Sequence, residues 1–320
     1  MKKTIINYIF KLLESNLFAK NSNIYNRAFR NRIIGYRSEL EFKNKFNTKT
    51  RLLDGGYILP IKNKAKTLDN PVYFTISSAK IEDSYLELYK ILSKDLFRWL
   101  FFIQFDNYEV NKWKYSLIKN RKYPLPPLKI HKFIDGKLKI VSTEIDQFTS
   151  LYKDKSPAKV NFEIEKDILN ECYEMLVVFE LKALLDIYVE RLIFDGFLGF
   201  SKYRGIASDI DSISKKNGLF NFFEIKEKDL SKKKPGFGID TRRIASIKKI
   251  KNAYSINYYY VVKQVNNQKD REFKSWYYIE IDDFIKNTSG NNEIEGGAGM
   301  SNLGNNPTLV CELKYFKKIK

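Results

Sequence analysis

Three carboxylates and a lysine stand where they could handle a divalent cation and a phosphate. Asp209 and Asp211 lie in the run SDIDSISKK, and Glu224 and Lys226 lie in LFNFFEIK. Asn217-Gly218 sits between the two runs. This dipeptide is the strongest short signal for a two-residue β-hairpin turn. Such a turn fixes register, so Lys216 faces Leu219, Asp211 falls opposite Glu224 and Asp209 opposite Lys226. Side chains alternate across a strand, which puts all four on one face. Directly opposed residues lie about 5 Å apart at Cβ. Two facing carboxylates repel unless a counter-charge stands between them. Mg²⁺ is the expected cofactor, because it takes one or two protein carboxylates and leaves room for water and phosphate oxygens. It can lower the pKa of a bound water and offset charge on a scissile phosphate. A neighbouring lysine can orient the attacking water or help deprotonate it.

The elements around this hairpin must hold it. Ile210, Phe223 and Ile225 make its opposite face apolar. Before it, residues 163–195 read as one long, largely apolar helix. FLGFSKYRG (197–205) reads as a further strand, and Lys228–Gly238 as a charged Gly/Pro loop. Helical spacing resumes over Asp240–Tyr254, and INYYYVVKQV and FKSWYYIEI read as strands. The order is helix, three strands, helix, strand and one more strand. The tail GGAGMSNLG reads as a Gly/Asn-rich loop before a final strand.

Asp211, followed thirteen positions later by Glu224-Ile225-Lys226, resembles the D…(E/D)-x-K signature of the PD-(D/E)XK nucleases. The resemblance covers about residues 165–285. It implies an α/β (α+β) core, a mixed central β-sheet flanked by helices. It implies Asp211 and Glu224 as metal ligands and Lys226 as the residue acting on water. Many members add an acid from the first helix; Glu180 is the choice here and Glu190 its rival. Ser208 stands where the name-giving Pro would be, and Asp209 competes with Asp211 as the ligand. Asp211 is preferred because it pairs with Glu224. The implied activity is Mg²⁺-dependent hydrolysis of double-stranded DNA, with a type II restriction endonuclease preferred. A structure-specific nuclease such as a junction resolvase, or a binding protein without catalysis, are the other readings.

The N-terminal half supports this as a DNA-gripping region of helices and hairpins, residues 1–158, with the catalytic core over 159–320. Residues 3–46 read as mainly helical, YFTIS (73–77) as a strand, and 83–104 as helical into an aromatic run. KYPLPP (122–127) reads as a rigid non-helical connector, and Asp135-Gly136 as a hairpin turn. The polar stretch Thr149–Ala158 is the expected boundary.

Charge points to a polyanionic partner. The net charge is +19, from 57 Lys and Arg against 38 Asp and Glu. Lys226–Lys251 alone holds ten Lys and Arg against three Asp and Glu. Lys232, Lys233, Lys234, Arg242, Arg243, Lys248 and Lys249 are the expected phosphate contacts. The single histidine, His131, excludes multi-histidine metal sites and paired-histidine nucleases. No GxSxG elbow, Walker loop or kinase set occurs. Cys172 and Cys311 lie in apolar runs and read as buried free thiols, which fits a cytoplasmic setting. The N-terminus reads as an amphipathic helix rather than a signal peptide, since Lys11 and Glu14 interrupt its apolar stretch. No membrane partner is expected, and a symmetric homodimer is the natural way to cut both strands.

Overall fold

The computed structural model describes residues 1–15, 17, 19, 21–47, 50–59, 71–106, 109–118, 120–150, 162–198, 208–232, 234–288, 293–295 and 307–319. The protein is mixed α/β, with a large mixed central β-sheet flanked by helices. In chain order the elements open with α1 (Lys2–Glu14), α2 (Ser22–Phe46), β1 (Leu52–Leu59), β2 (Val72–Ser77), α3 (Asp83–Leu92) and β3 (Trp99–Phe105). Next come β4 (Lys114–Ile118), β5 (Arg121–Leu125), β6 (Leu128–Ile134), β7 (Lys137–Ser142), α4 (Ile145–Ser150), α5 (Lys166–Val177) and α6 (Leu181–Arg191). After a π-helical turn, Leu192–Leu198, follow β8 (Ser208–Lys216), β9 (Leu219–Lys228), β10 (Gly236–Asp240), α7 (Thr241–Ala253), β11 (Asn257–Val265) and β12 (Phe273–Glu280). The chain closes with α8 (Ile281–Lys286), β13 (Glu293–Glu295), β14 (Pro307–Glu312) and β15 (Lys317–Lys318). No helix of the described residues is long and apolar enough to cross a membrane.

Contacts divide the chain into two compact units: Met1–Ile33 with Gly56–Asp209, and Ile34–Gly55 with Ile210–Lys320. The expected cut near residue 158 is not where the division falls. The stretch 34–55 joins the second unit because Phe42 and Phe46 of α2 pack on Ile225, Val261 and Trp276. Of the expected boundary segment, residues 151–158 lie outside the described residues, as do 199–205 of FLGFSKYRG and the glycine-rich loop 296–304.

In the first unit, α1 buries Ile5, Ile6, Ile9, Phe10, Leu12 and Leu13 along one side, as an amphipathic helix must. β2 pairs in parallel with β3, so the chain crosses over through α3. β6 and β7 form the hairpin expected from Asp135-Gly136, whose φ angles of 52° and 76° suit a tight primed turn. Three expectations need correction here. The aromatic run 97–102 is not a helix end: Trp99–Phe105 is a strand, because the consecutive apolar residues Leu100–Ile103 are buried on both faces between β2 and β6. KYPLPP is not a bare connector, since Arg121–Leu125 pairs with β4 in a two-stranded ribbon that tolerates Pro124 at its edge. The long helix 163–195 breaks at Val178–Glu180 into α5 and α6 and ends in the π-helical turn.

The second unit carries strands in the order β15–β12–β11–β9–β8. β8 and β9 are antiparallel, and β9 and β11 are parallel, joined through β10 and α7. One face of β9 and β11 carries Phe223, Ile225, Tyr259 and Val261, packed with Phe42, Phe46 and Trp276. Burying each such side chain contributes about 1.5–3 kcal/mol. The other face carries Phe222, Tyr258, Tyr260 and Val262, all buried, and Tyr260 packs edge-on against Phe284 of α8. Gly236–Gly238, the end of the expected loop, and Asp240, the expected start of the next helix, lie instead in β10, paired with β14 from Gly236↔Glu312 to Asp240↔Thr308. Of the expected order, β8, β9, α7, β11 and β12 stand where the sequence places them; the strand expected at FLGFSKYRG begins in the π-helical turn at Phe197-Leu198 and otherwise lies outside the described residues, and β10 is an added strand.

Glu227 shows how tightly β9 is held on its apolar side. Its side chain is fully buried and accepts from Arg37 at 2.6 Å, Arg271 at 2.8 Å and Ser38 at 3.3 Å, with Lys263 at 3.0 Å. Burial pushes its pKa up, but Arg37, Lys263 and Arg271 outweigh that and hold it below the ordinary 4.5. A carboxyl depressed in the folded state stabilises above its ordinary pKa, and that contribution is lost as pH falls through the folded value. Glu227→Ala should destabilise by about 3–5 kcal/mol in urea denaturation at pH 7, because Arg271 loses its carboxylate and Arg37 and Lys263 keep only Glu41. The difference between wild type and Glu227→Gln should shrink as pH falls below 4.5.

Candidate metal centre

The hairpin that carries the acids forms with the register its turn demands. Asn217 and Gly218 adopt φ of 51° and 78°, left-handed values that glycine and asparagine tolerate. The ladder runs from Lys216↔Leu219 to Ser212↔Phe223. One step further, the Asp211 carboxylate takes over from backbone pairing: its Oδ2 accepts the Ile225 N–H at 2.6 Å. Parallel pairing with β11 sets Tyr260 beside Glu224 and Val262 beside Lys226.

The result is a compact group of charges. Ligand oxygens of Asp209, Asp211 and Glu224 all lie within 4.8 Å of one another. Glu224 is only 2% exposed and Asp211 8%. Buried, facing carboxylates need positive charge close by. Lys226 Nζ provides it from one side, 2.9 Å from Glu224 Oε1 and 3.3 Å from Asp211 Oδ2. Arg243 of α7 provides it from the other: Nε donates to Glu224 Oε2 at 2.9 Å, and Nη2 donates to the same oxygen. Tyr260 is buried beside them, its hydroxyl donating to the Gly238 carbonyl at 3.0 Å. Burial, with only partial relief from Lys226, holds its pKa above the usual tyrosine value. Three carboxylates in one place are hard oxygen donors of the kind that Mg²⁺ and similar cations prefer, so the group could hold such an ion.

Asp209, Asp211, Glu224 and Lys226 therefore come together as the spacing implies. Glu180 does not join them: it is the exposed N-cap residue of α6, set at the break that splits the expected helix. Its rival Glu190 is also outside the group and accepts from Arg191 at 3.0 Å. His131 is buried on β6, and burial pushes its pKa down. Among the expected phosphate contacts, Lys232, Arg242 and Lys248 are exposed, Lys234 and Lys249 are half-buried, and Lys233 lies outside the described residues. Arg243 is a correction, since its guanidinium is committed to Glu224 rather than turned to solvent. A signal for this was available. Arg243 precedes Ile247 by four residues and Ile250 by seven, so it shares the buried stripe of α7.

The chain was compared with protein-family models, curated proteins and solved structures, and nothing matches in any of the three.

Gly55 brings a backbone close to the acid-bearing strand. A Cβ placed there would sit 1.6 Å from the Ile210 carbonyl oxygen and 2.9 Å from the Asp211 carbonyl carbon. Gly35, inside α2, has nothing within 4 Å of the same construction. Gly55→Ala should therefore cost about 1–3 kcal/mol by overpacking. Gly35→Ala should stabilise by about 0.5–1 kcal/mol through helix propensity. Urea denaturation of the two variants reads both signs.

Proposed function

We propose that this protein is a Mg²⁺-dependent nuclease of the PD-(D/E)XK kind that hydrolyses double-stranded DNA, acting as a type II restriction endonuclease. The observation that carries the reading is the meeting of Asp211, Glu224 and Lys226 on one face of a hairpin. Their separations of 2.9 Å and 3.3 Å make them a single charged unit. Such a unit costs folding energy, and hydrolysis of a phosphate ester is the chemistry its parts suit.

Asp211 and Glu224, with Asp209 beside them, would hold the cation. When bound, Mg²⁺ supplies electrostatic stabilisation of the charge that builds on the phosphate oxygens. Lys226 is partly exposed, so its ammonium can donate to a water or a phosphate oxygen while still bonded to the acids. It orients the water whose oxygen forms the new bond to phosphorus. The ester P–O bond breaks as that bond forms; the water's proton goes to solvent, and the leaving oxygen takes one back. Arg243 fixes the orientation of the Glu224 carboxylate. The Ile225 N–H fixes the orientation of Asp211 in the same way.

DNA as the substrate rests on charge. The chain carries +19, and Lys232, Arg242 and Lys248 stand exposed just after β9 and along α7. The restriction role rests on analogy.

Purified protein should cut plasmid DNA into discrete fragments with Mg²⁺ and not with EDTA. Comparing methylated and unmethylated plasmid shows whether modification blocks or licenses cutting. Glu224→Ala and Lys226→Ala should each lower the cleavage rate by about 10²–10⁴-fold, with DNA affinity retained in Glu224→Ala. Undiminished cleavage by both variants would remove the site. Preference for branched DNA would replace restriction with a resolvase role, and tight binding without cutting would replace both with a binding protein.

A further inference from the structure

The alternation of β9 does not stop at Lys226. Glu224, Lys226 and Lys228 are separated by two residues each and lie beside Tyr260, Val262 and Gln264 in the register with β11. All three therefore share the face of the metal centre. The other charged residues of β9 are paired. Glu224 bonds to Arg243 and Lys226, Lys226 bonds to Asp211, and Glu227 bonds to Arg37, Lys263 and Arg271. Lys228 differs. It is half-buried, and its ammonium makes no ion pair or side-chain hydrogen bond among the described residues.

That position is electrostatically unfavourable. Burial, and then the Lys226 ammonium, push the Lys228 pKa below the ordinary lysine value, against weaker opposite pulls from Asp229, Glu224 and Asp240. A half-buried cation beside a second cation is relieved by an anion that reaches both. The spacing suits a particular anion. Two residues along a strand advance about 6.6 Å, which matches the interval between successive phosphates of one nucleic-acid strand.

We propose that Lys228 is a second phosphate-binding residue of the site, holding the phosphate next to the one that Lys226 attends. This rests on the reading of the site as one that handles nucleic-acid phosphodiesters. It extends the E-x-K run by one functional position, to Glu224-Ile225-Lys226-Glu227-Lys228. Lys226 and Lys228 together set the strand's direction across the metal centre, because two fixed phosphates define a line.

The test is the affinity of the full chain for a short duplex in EDTA, where no cleavage occurs, measured by fluorescence anisotropy over a range of salt. Lys228→Gln should weaken binding about tenfold near 0.1 M salt and lower the slope of log K against log salt by about 1. Lys228→Arg should restore both. A merely structural role would shift affinity without changing the salt slope. An unchanged slope in Lys228→Gln, with cooperative unfolding intact, overturns the proposal. Cleavage by the wild type is scored separately. A changed slope without wild-type cleavage upholds the Lys228 contact and sinks the nuclease reading. Cleavage with an unchanged slope does the reverse.

Discussion

Two buried carboxylates that face each other across a hairpin are the constraint on which the second unit turns. Asp211 and Glu224 are almost wholly removed from water, and like charges at that range oppose folding. Their neighbours answer the problem in three ways. Lys226 bridges both acids. The Ile225 N–H bonds Asp211. Arg243 reaches Glu224 from α7. Each of these is fixed by backbone that is itself fixed by something else: the Asn217-Gly218 turn, the parallel β9–β11 ladder, and the helix that joins those two strands.

β9 is the element in which these demands meet. Its even positions carry the charged centre: Glu224, Lys226 and Lys228. Its odd positions carry Phe223 and Ile225, packed under Phe42 and Phe46, and then Glu227 inside a cage of cations. Glu227 ties α2, β11 and Arg271 to the strand, so the side of β9 away from the acidic cluster resists movement by ionic as well as apolar contacts. Were the cluster to hold a cation, such a backing would keep its ligands in place. Gly55 contributes in the opposite way, by having no side chain where the backbone of β8 passes.

The site was legible to the extent that it depends on local rules. A two-residue turn sets register, and strand alternation sets faces, so Asp209, Asp211, Glu224 and Lys226 could be placed together without any knowledge of the fold. The order of elements around them was legible for the same reason, from changes of period between 2 and 3.6. Failures came where tertiary pairing decides. Gly236–Asp240 looks like a Gly/Pro loop and becomes a strand because β14, some seventy residues further on, pairs with it. Trp99–Phe105 reads as apolar in either period, and its parallel partner β2 decides for the strand. The break at Val178–Glu180 carries no Gly or Pro to announce it, and it moves Glu180 to an exposed cap. Arg243 was read as one of a basic run, because charge counting does not show which cation faces inward.

Everything proposed for the hairpin requires that Asp211 and Glu224 bind a divalent cation. Calorimetric titration of Mg²⁺ or Mn²⁺ into the wild type, Asp211→Asn and Glu224→Gln tests it without any assumption about substrate. Saturable binding is expected for the wild type, weakened at least about tenfold in each variant while both still unfold cooperatively. Equal cation affinity in all three proteins would contradict it.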